Sequence, residues 1–262
     1  MNTILNKKIK YKNINNKYAM KISNSGIINM ITYIIVSLAS LTLVSCRKDD
    51  VKINNEITTE DAVDAIVYTI ENESGGYSSH AKYATEDLSY SIYTLQCGQS
   101  FDTTFVKSYV GPITANYTFS RNYILNCDSL NNLTSINCTG SYTGNYEGPR
   151  LKSYNSGFNS WYVTGLNNQV SNFYINGSFT RLGIHESKIR NKKTFDTQMN
   201  ISTTNLEIEK STGHIIGGNA MVELICTNNE GVPYTFNGSI TFSSSGIATL
   251  SLNGNTYTIY IF

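Results

Sequence analysis

From about residue 96 to the C-terminus, apolar and polar residues alternate with a period of two. Tyr117, Phe119, Tyr123, Leu125 and Cys127 share one face, with Asn116, Thr118, Ser120 and Asn126 on the other. The pattern returns at Ile136, Cys138 and Tyr142, at Trp161 and Val163, at Phe173, Ile175 and Phe179, and at Phe195, Met199 and Ile201. Ala220, Val222, Leu224 and Cys226 continue it, then Tyr234, Phe236, Ile240 and Phe242, and finally Ala248, Leu250, Leu252, Tyr257, Ile259 and Ile261. Such alternation predicts antiparallel strands, each with one buried and one wet face. Arg121 breaks the apolar row.

Turn chemistry predicts how the strands connect. Asn and Gly tolerate positive φ, so Leu252-Asn253-Gly254-Asn255 predicts a two-residue hairpin turn. Closure there pairs Leu250 with Tyr257 and Ala248 with Ile259, all on one face. The segment Arg181–Lys188 predicts a three-residue loop, Gly183-Ile184-His185, with Phe179 opposite Ile189, Phe173 opposite Phe195 and Thr180 opposite Lys188. Further loops are expected at Asn228–Gly231 and Ser243–Gly246. Short connections place sequence neighbours side by side.

Upstream the period is helical. Thr58 and Asp61 form a capping-box pattern, and Ala62, Ala65, Ile66 and Ile70 follow at helical spacing until Gly75-Gly76. Tyr77, Ala81, Ala84 and Leu88 mark a second short helix. The fold class expected is mainly β: an antiparallel meander closing into a barrel, half-barrel or sandwich, with one or two short N-terminal helices that plug or cover the open side. The polar outward face argues against a transmembrane barrel, whose outside must be apolar.

The first 45 residues differ in kind. Lys7, Lys8, Lys10, Lys12, Lys17 and Lys21 precede an apolar run, Ile27–Val44, with no acid among them. That is the order of a secretory leader, and Met20-Lys21 begins a leader of more usual length. Leu43-Val44-Ser45-Cys46 resembles the lipobox of bacterial lipoproteins. The resemblance implies cleavage between Ser45 and Cys46, diacylglycerol on the Cys46 thiol, and a further palmitate-type acyl chain on its new amino group. Several chains make a firm anchor, because each buried methylene contributes about 0.8 kcal/mol. The alternative is an uncleaved anchor helix, since a largely apolar run of 18 residues can just span a bilayer. Lys48, Asp49 and Asp50 resemble the tag that exports some Gram-negative lipoproteins to the outer face of the outer membrane. The plainer alternative is a solvated charged linker on a protein of the periplasmic face. The expected organisation is a signal peptide at 1–45, a lipidated tether at 46–57, and one β-rich domain at 58–262 with its helical segment at 58–92.

Charge and cysteines narrow the classes. Six of the 20 basic residues and none of the 19 acidic ones precede Cys46, which leaves 14 against 19, a net of −5. A nucleic-acid partner needs a basic footprint and is not expected. Four cysteines remain after Cys46, with three full pairings open to them. Cys97 with Cys127 is the preferred bridge, and the others are candidates for buried free thiols. Their spacing fits no zinc set.

Candidate chemistry is sparse. His80 falls on the second helix, His185 in the expected hairpin loop beside Glu186, and His214 in a turn, each expected to be solvated. There is no HExxH, no GxSxG elbow and no phosphate loop, so no catalytic residue, metal or cofactor is assigned. Lys188, Arg190 and Lys192 recur at period two, a row that either holds phosphate or carboxylate groups of a polysaccharide or blunts a sheet edge. Tyr154, Tyr162 and Tyr174 point outward or sit in loops, where exposed aromatics can stack on sugars. Asp128-Ser129-Leu130 and Asp102-Thr103-Thr104 resemble a short O-glycosylation motif of bacterial surface proteins.

Several features together resemble a group of uncharacterised Gram-negative surface lipoproteins with a Tyr/Asn/Thr-rich β-meander. They are the segment from Thr58 to Ile66, the Gly75-Gly76 break, Leu95–Gly98, the strand ending in Cys127, Asn145–Arg150 and Phe236–Phe242. The resemblance implies a location and a fold and carries no activity. The expected function is a lipid-anchored outer-membrane protein with a non-catalytic binding or structural role towards a glycan, a protein partner or the envelope. The alternative is a carrier holding a hydrophobic ligand such as a lipid in a cavity lined by Phe173, Phe195, Phe236 and Ile259. A third reading is a hydrolase without a familiar motif.

Overall fold

Among the described residues, ten strands follow one another in a single antiparallel sheet whose spatial order is the sequence order. They are β1 (Ser100–Val110), β2 (Thr114–Cys127), β3 (Leu133–Glu147), β4 (Leu151–Thr164), β5 (Asn172–Ser187), β6 (Thr194–Glu209), β7 (Ile215–Asn228), β8 (Pro233–Ser243), β9 (Ile247–Leu252) and β10 (Asn255–Tyr260). Among the described residues two helices precede them, α1 (Thr59–Ile70) and α2 (Tyr77–Ser91). This computed structural model describes residues 55–72, 74–91, 96–167 and 169–261. The leader, Ser45, Cys46, Lys48, Asp49 and Asp50 lie outside the described residues.

The sheet is mainly β as the alternation predicts, and it is open: β1 and β10 do not pair. Its buried face wraps the two helices. Tyr83 of α2 packs edge-on against Phe105 of β1, and Tyr77 stacks on Phe242 of β8. Side chains from one helix can reach strands so far apart only across a curled sheet. Bulges assist the curl, one between Ile175 and Gly177 of β5 and another between Thr204 and Glu207 of β6.

Helix α1 starts where its sequence says it does. Thr58 accepts from the Asp61 backbone, and the Asp61 carboxylate accepts from the Thr58 backbone at 3.1 Å. On α2, Tyr77, Ala81, Ala84 and Leu88 are all buried, so the expected stripe faces the sheet. The closing hairpin has the expected register, Leu250 opposite Tyr257 and Ala248 opposite Ile259, with positive φ at Asn253 and Gly254.

The hairpin between β5 and β6 departs from expectation. Gly183, Ile184 and His185 are strand residues, and the reversal comes at a short 3-10 turn, Arg190–Lys192. Phe179 therefore lies opposite Ile201, Thr180 opposite Asn200, Phe173 opposite Ile208, and Phe195 opposite His185. Gly183 is small for a different reason than a turn. A Cβ there would come within 2.5 Å of the Asn155 Oδ1 on β4, whose side chain lies across it.

Candidate functional site

The two faces of β3, β4 and β5 hold the molecule's most distinctive chemistry. On the inner face, rings lie over neighbouring glycines. Tyr142 of β3 lies over Gly157, and Tyr117 of β2 lies over Gly144. A Cβ at Gly157 would meet Tyr142 at 2.7 Å, and one at Gly144 would meet the Tyr117 ring at 2.3 Å. Each glycine thus leaves the slot its aromatic neighbour fills, a known device for placing large rings on a tightly curved sheet.

His80 closes this layer from α2. It is 1 % exposed, with Tyr142 at 4.5 Å, Phe119 at 4.8 Å and Phe179 at 5.2 Å between ring centres. Burial and the charges of Arg121 and Arg181 hold its pKa well below the ordinary imidazole value, against one supporting contact from Asn159. His185 is buried as well, its pKa lowered to about 3 by burial and by Arg181. Neither histidine is the solvated residue that its sequence neighbours suggest; the apolar faces of α2 and of a continuous β5 carry them inside.

Arg121, the exception in the apolar row, is also accounted for. It donates to Asp87 of α2 at 3.2 Å and packs its guanidinium over Phe105 at 5.1 Å. Tyr123 and Thr103 donate to the same carboxylate at 2.7 and 3.2 Å. Arg181 donates to the Tyr117 hydroxyl at 2.8 Å and to the Tyr68 carbonyl at 3.4 Å.

A Cys, a His and an Asn meet in this interior, but not as a nucleophilic site. Asn159 approaches the Cys138 sulfur at 3.9 Å and lies near His80. Burial pushes the Cys138 thiol up to about 11 while His80 is pushed down, so both stay neutral at ordinary pH. Cys226 is likewise raised, to about 12, by burial. A disulfide joins Cys97 to Cys127 and ties the segment just before β1 to the end of β2. Among the described residues, no group of His, Cys, Asp and Glu is placed to hold a metal ion.

The expected cationic row does not form on a strand. Lys188 pairs with Glu147 at 3.0 Å. Arg190, in the turn, pairs with Asp61 at 2.9 Å and with Asp64. Lys192 is exposed in the same turn. Lys193 donates to Asp61 at 3.2 Å, and Arg150 pairs with Asp64 at 3.0 Å. The Arg190 and Lys193 contacts fasten α1 to the β5–β6 turn, and Arg150 ties it to the β3–β4 turn. Burial raises the Asp61 pKa, but bonds from Arg190, the Thr58 backbone and Lys193 outweigh it and the carboxyl ends lowered.

The outer face is different. Tyr154, Phe158 and Tyr162 recur every fourth residue along β4 and are 57 %, 52 % and 47 % exposed. At about 3.3 Å per residue they stand about 13 Å apart. Leu182 and Ile184 of β5 are exposed beside them. Between these side chains lie Thr143, Ser156, Ser141, Thr139 and Ser160, and two grooves open there, of about 530 and 390 Å³. Tyr154 was legible as outward from the alternation. Phe158 was missed because the glycine at 157 obscures the strand period around it. Of the glycosylation-like motifs, Ser129 lies exposed in the β2–β3 loop, whereas Thr103 is half-buried and bonds Asp87.

Compared with known proteins, the chain matches no family model, no curated protein and no solved structure.

Proposed function

We propose that this chain is an outer-membrane lipoprotein, anchored by acyl chains on Cys46 and displayed on the cell exterior, whose β-sheet body binds a glycan without transforming it. The anchor reading rests on the basic leader, its apolar run and the cysteine that follows. The observation that carries the binding reading is the row Tyr154, Phe158 and Tyr162, held exposed on the middle of a sheet. Aromatic side chains have few rotors and a sheet holds them rigidly, so little entropy is lost when a sugar ring stacks on them.

A non-catalytic role is supported by the placement of the carboxylates. Asp102 and Asp196 flank the outer grooves from β1 and β6, five strand spacings apart. At about 4.8 Å per spacing that is roughly 24 Å along the curled sheet, beyond the ~5–9.5 Å of a glycosidase pair. Asp61 and Asp64 are close, but both are taken by Arg190. Against the carrier reading, Phe173, Phe195, Phe236 and Ile259 are buried in the same hydrophobic cluster as the helices, so the curled face is filled by the chain itself.

Location is tested by protease treatment of intact cells together with Cys46→Ala. Loss of the body from unbroken cells and release of the variant from membranes are expected. Full protection, or unchanged membrane attachment of the variant, would contradict the proposal.

A further inference from the structure

The two outer grooves adjoin. The smaller takes Ser141 and Phe158, which pair across β3 and β4; the larger takes Thr143 and Ser156, the next pair on the same face. Together they form one oblique trough across six strands. It runs from Asp102 and Asn122 past Phe158 to Tyr154, Ile184 and Asp196. Its walls are rings and aliphatic side chains, its floor hydroxyls, and each end carries one carboxylate.

Cations are absent from this lining in any useful sense. Arg121 borders the smaller groove with its backbone, since its guanidinium is turned inward to Asp87. Lys152 lies 5.7 Å from the Tyr154 ring, and it sits between Glu147 and Glu186 on the neighbouring strands. Lys188 and Arg190 are already engaged by Glu147, Asp61 and Asp64. A polymer bearing carboxylates or phosphates would meet Asp102 and Asp196 with only Lys152, itself set between two glutamates, to offset the repulsion. A protein partner fits poorly too, because the core of such interfaces is depleted in serine and aspartate.

Resting on the binding reading above, we propose that the ligand is an uncharged polysaccharide, its chain laid across the strands in this trough. The C–H faces of its rings stack on Phe158 and Tyr154, and its hydroxyls bond Ser141, Thr143 and Ser156. Asp102 and Asp196 accept hydroxyl hydrogen bonds at the two ends and turn acidic polymers away. Leu182 and Ile184 close one wall against water.

Affinity electrophoresis of the full-length lipoprotein in non-ionic detergent tests this, with dextran, mannan and galactomannan as uncharged polymers and polygalacturonate and hyaluronan as acidic ones. Retardation by at least one uncharged polymer and by neither acidic one is expected. Phe158→Ser and Tyr154→Ser should each weaken it about tenfold or more, while Val106→Ser, on the exposed face of β1 away from the trough, leaves it unchanged. Retardation by acidic polymers alone, still lost in Phe158→Ser, would overturn the uncharged ligand and keep the binding face. Retardation that ignores both trough variants, or none with any polymer, would overturn the binding face itself. A dimer broken by Phe158→Ser in place of any retardation would assign the face to a second copy of this chain and overturn the proposal.

Discussion

The inner and outer faces of β4 are made from the same fourteen residues and behave in opposite ways. Inward, Ser153, Asn155, Gly157, Asn159 and Trp161 are small, polar or boxed, and they serve rings and guanidinium groups arriving from other strands. Outward, Tyr154, Phe158 and Tyr162 have water above them. A fold that needed aromatic bulk only for stability would turn those three rings inward. It instead puts glycine at an inward position of the same strand and imports Tyr142 to fill the space. Inner chemistry holds the curl, and outer chemistry is left free for contact.

The comparison breaks most sharply on the inside. Phe179 is fully buried and touches Tyr77, His80 and Tyr142. Phe179→Ala is expected to cost about 3–5 kcal/mol in denaturant unfolding, because the rings around it close the gap only in part. A loss under about 1 kcal/mol would mean that the layer around His80 is not close-packed.

Next comes the tie at the sheet's edge. Cys97 and Cys127 are 30 residues apart, and converting both to serine is expected to lower stability by about 2–4 kcal/mol through the freed unfolded chain. Equal urea midpoints with and without reductant would count against that bridge.

A graded effect, smaller for each pH unit, follows from the buried histidines. His185 has an ordinary value near 6.5 and a folded value of about 3. Between the two, the unfolded chain binds a proton that the buried imidazole refuses. Stability therefore rises with pH through this window, by up to about 1.4 kcal/mol per pH unit from one such group. It is complete above 6.5 and lost as pH falls towards 3, and His80 acts in the same direction. Asp61, lowered from 3.8, adds a loss only below that value. His185→Leu should flatten the melting-temperature profile between the ordinary and folded values. A variant as pH-sensitive as the parent would show that the imidazole is not held neutral.

Much of the inner face was legible because alternation reports burial directly. The last hairpin was legible down to its register, since Asn253-Gly254 allows one turn type and the flanking apolar residues allow one pairing. The β5–β6 turn was not. It has no Gly or Pro, holds positive φ at Arg190 and Lys192, and is fixed by ion pairs to α1, over a hundred residues away in sequence. Gly183 misled for the converse reason, being small to admit Asn155 from the next strand. His80 and His185 looked solvated from their neighbours because the rings enclosing them come from other strands. The outer face was legible only in part, through Tyr154 and Tyr162, and its trough was not, since a groove exists only once strands are in register.

The division between the faces meets its most direct test in one protein carrying Tyr154→Ser, Phe158→Ser and Tyr162→Ser. Its melting temperature and its retardation by uncharged polysaccharide would be measured side by side with the parent. Exposed substitutions usually stay within about 0.5 kcal/mol each, so the melt should shift by only a few degrees while retardation disappears. A collapsed melt would make those rings part of the structural core, and a folded variant that is still retarded would move the binding surface elsewhere.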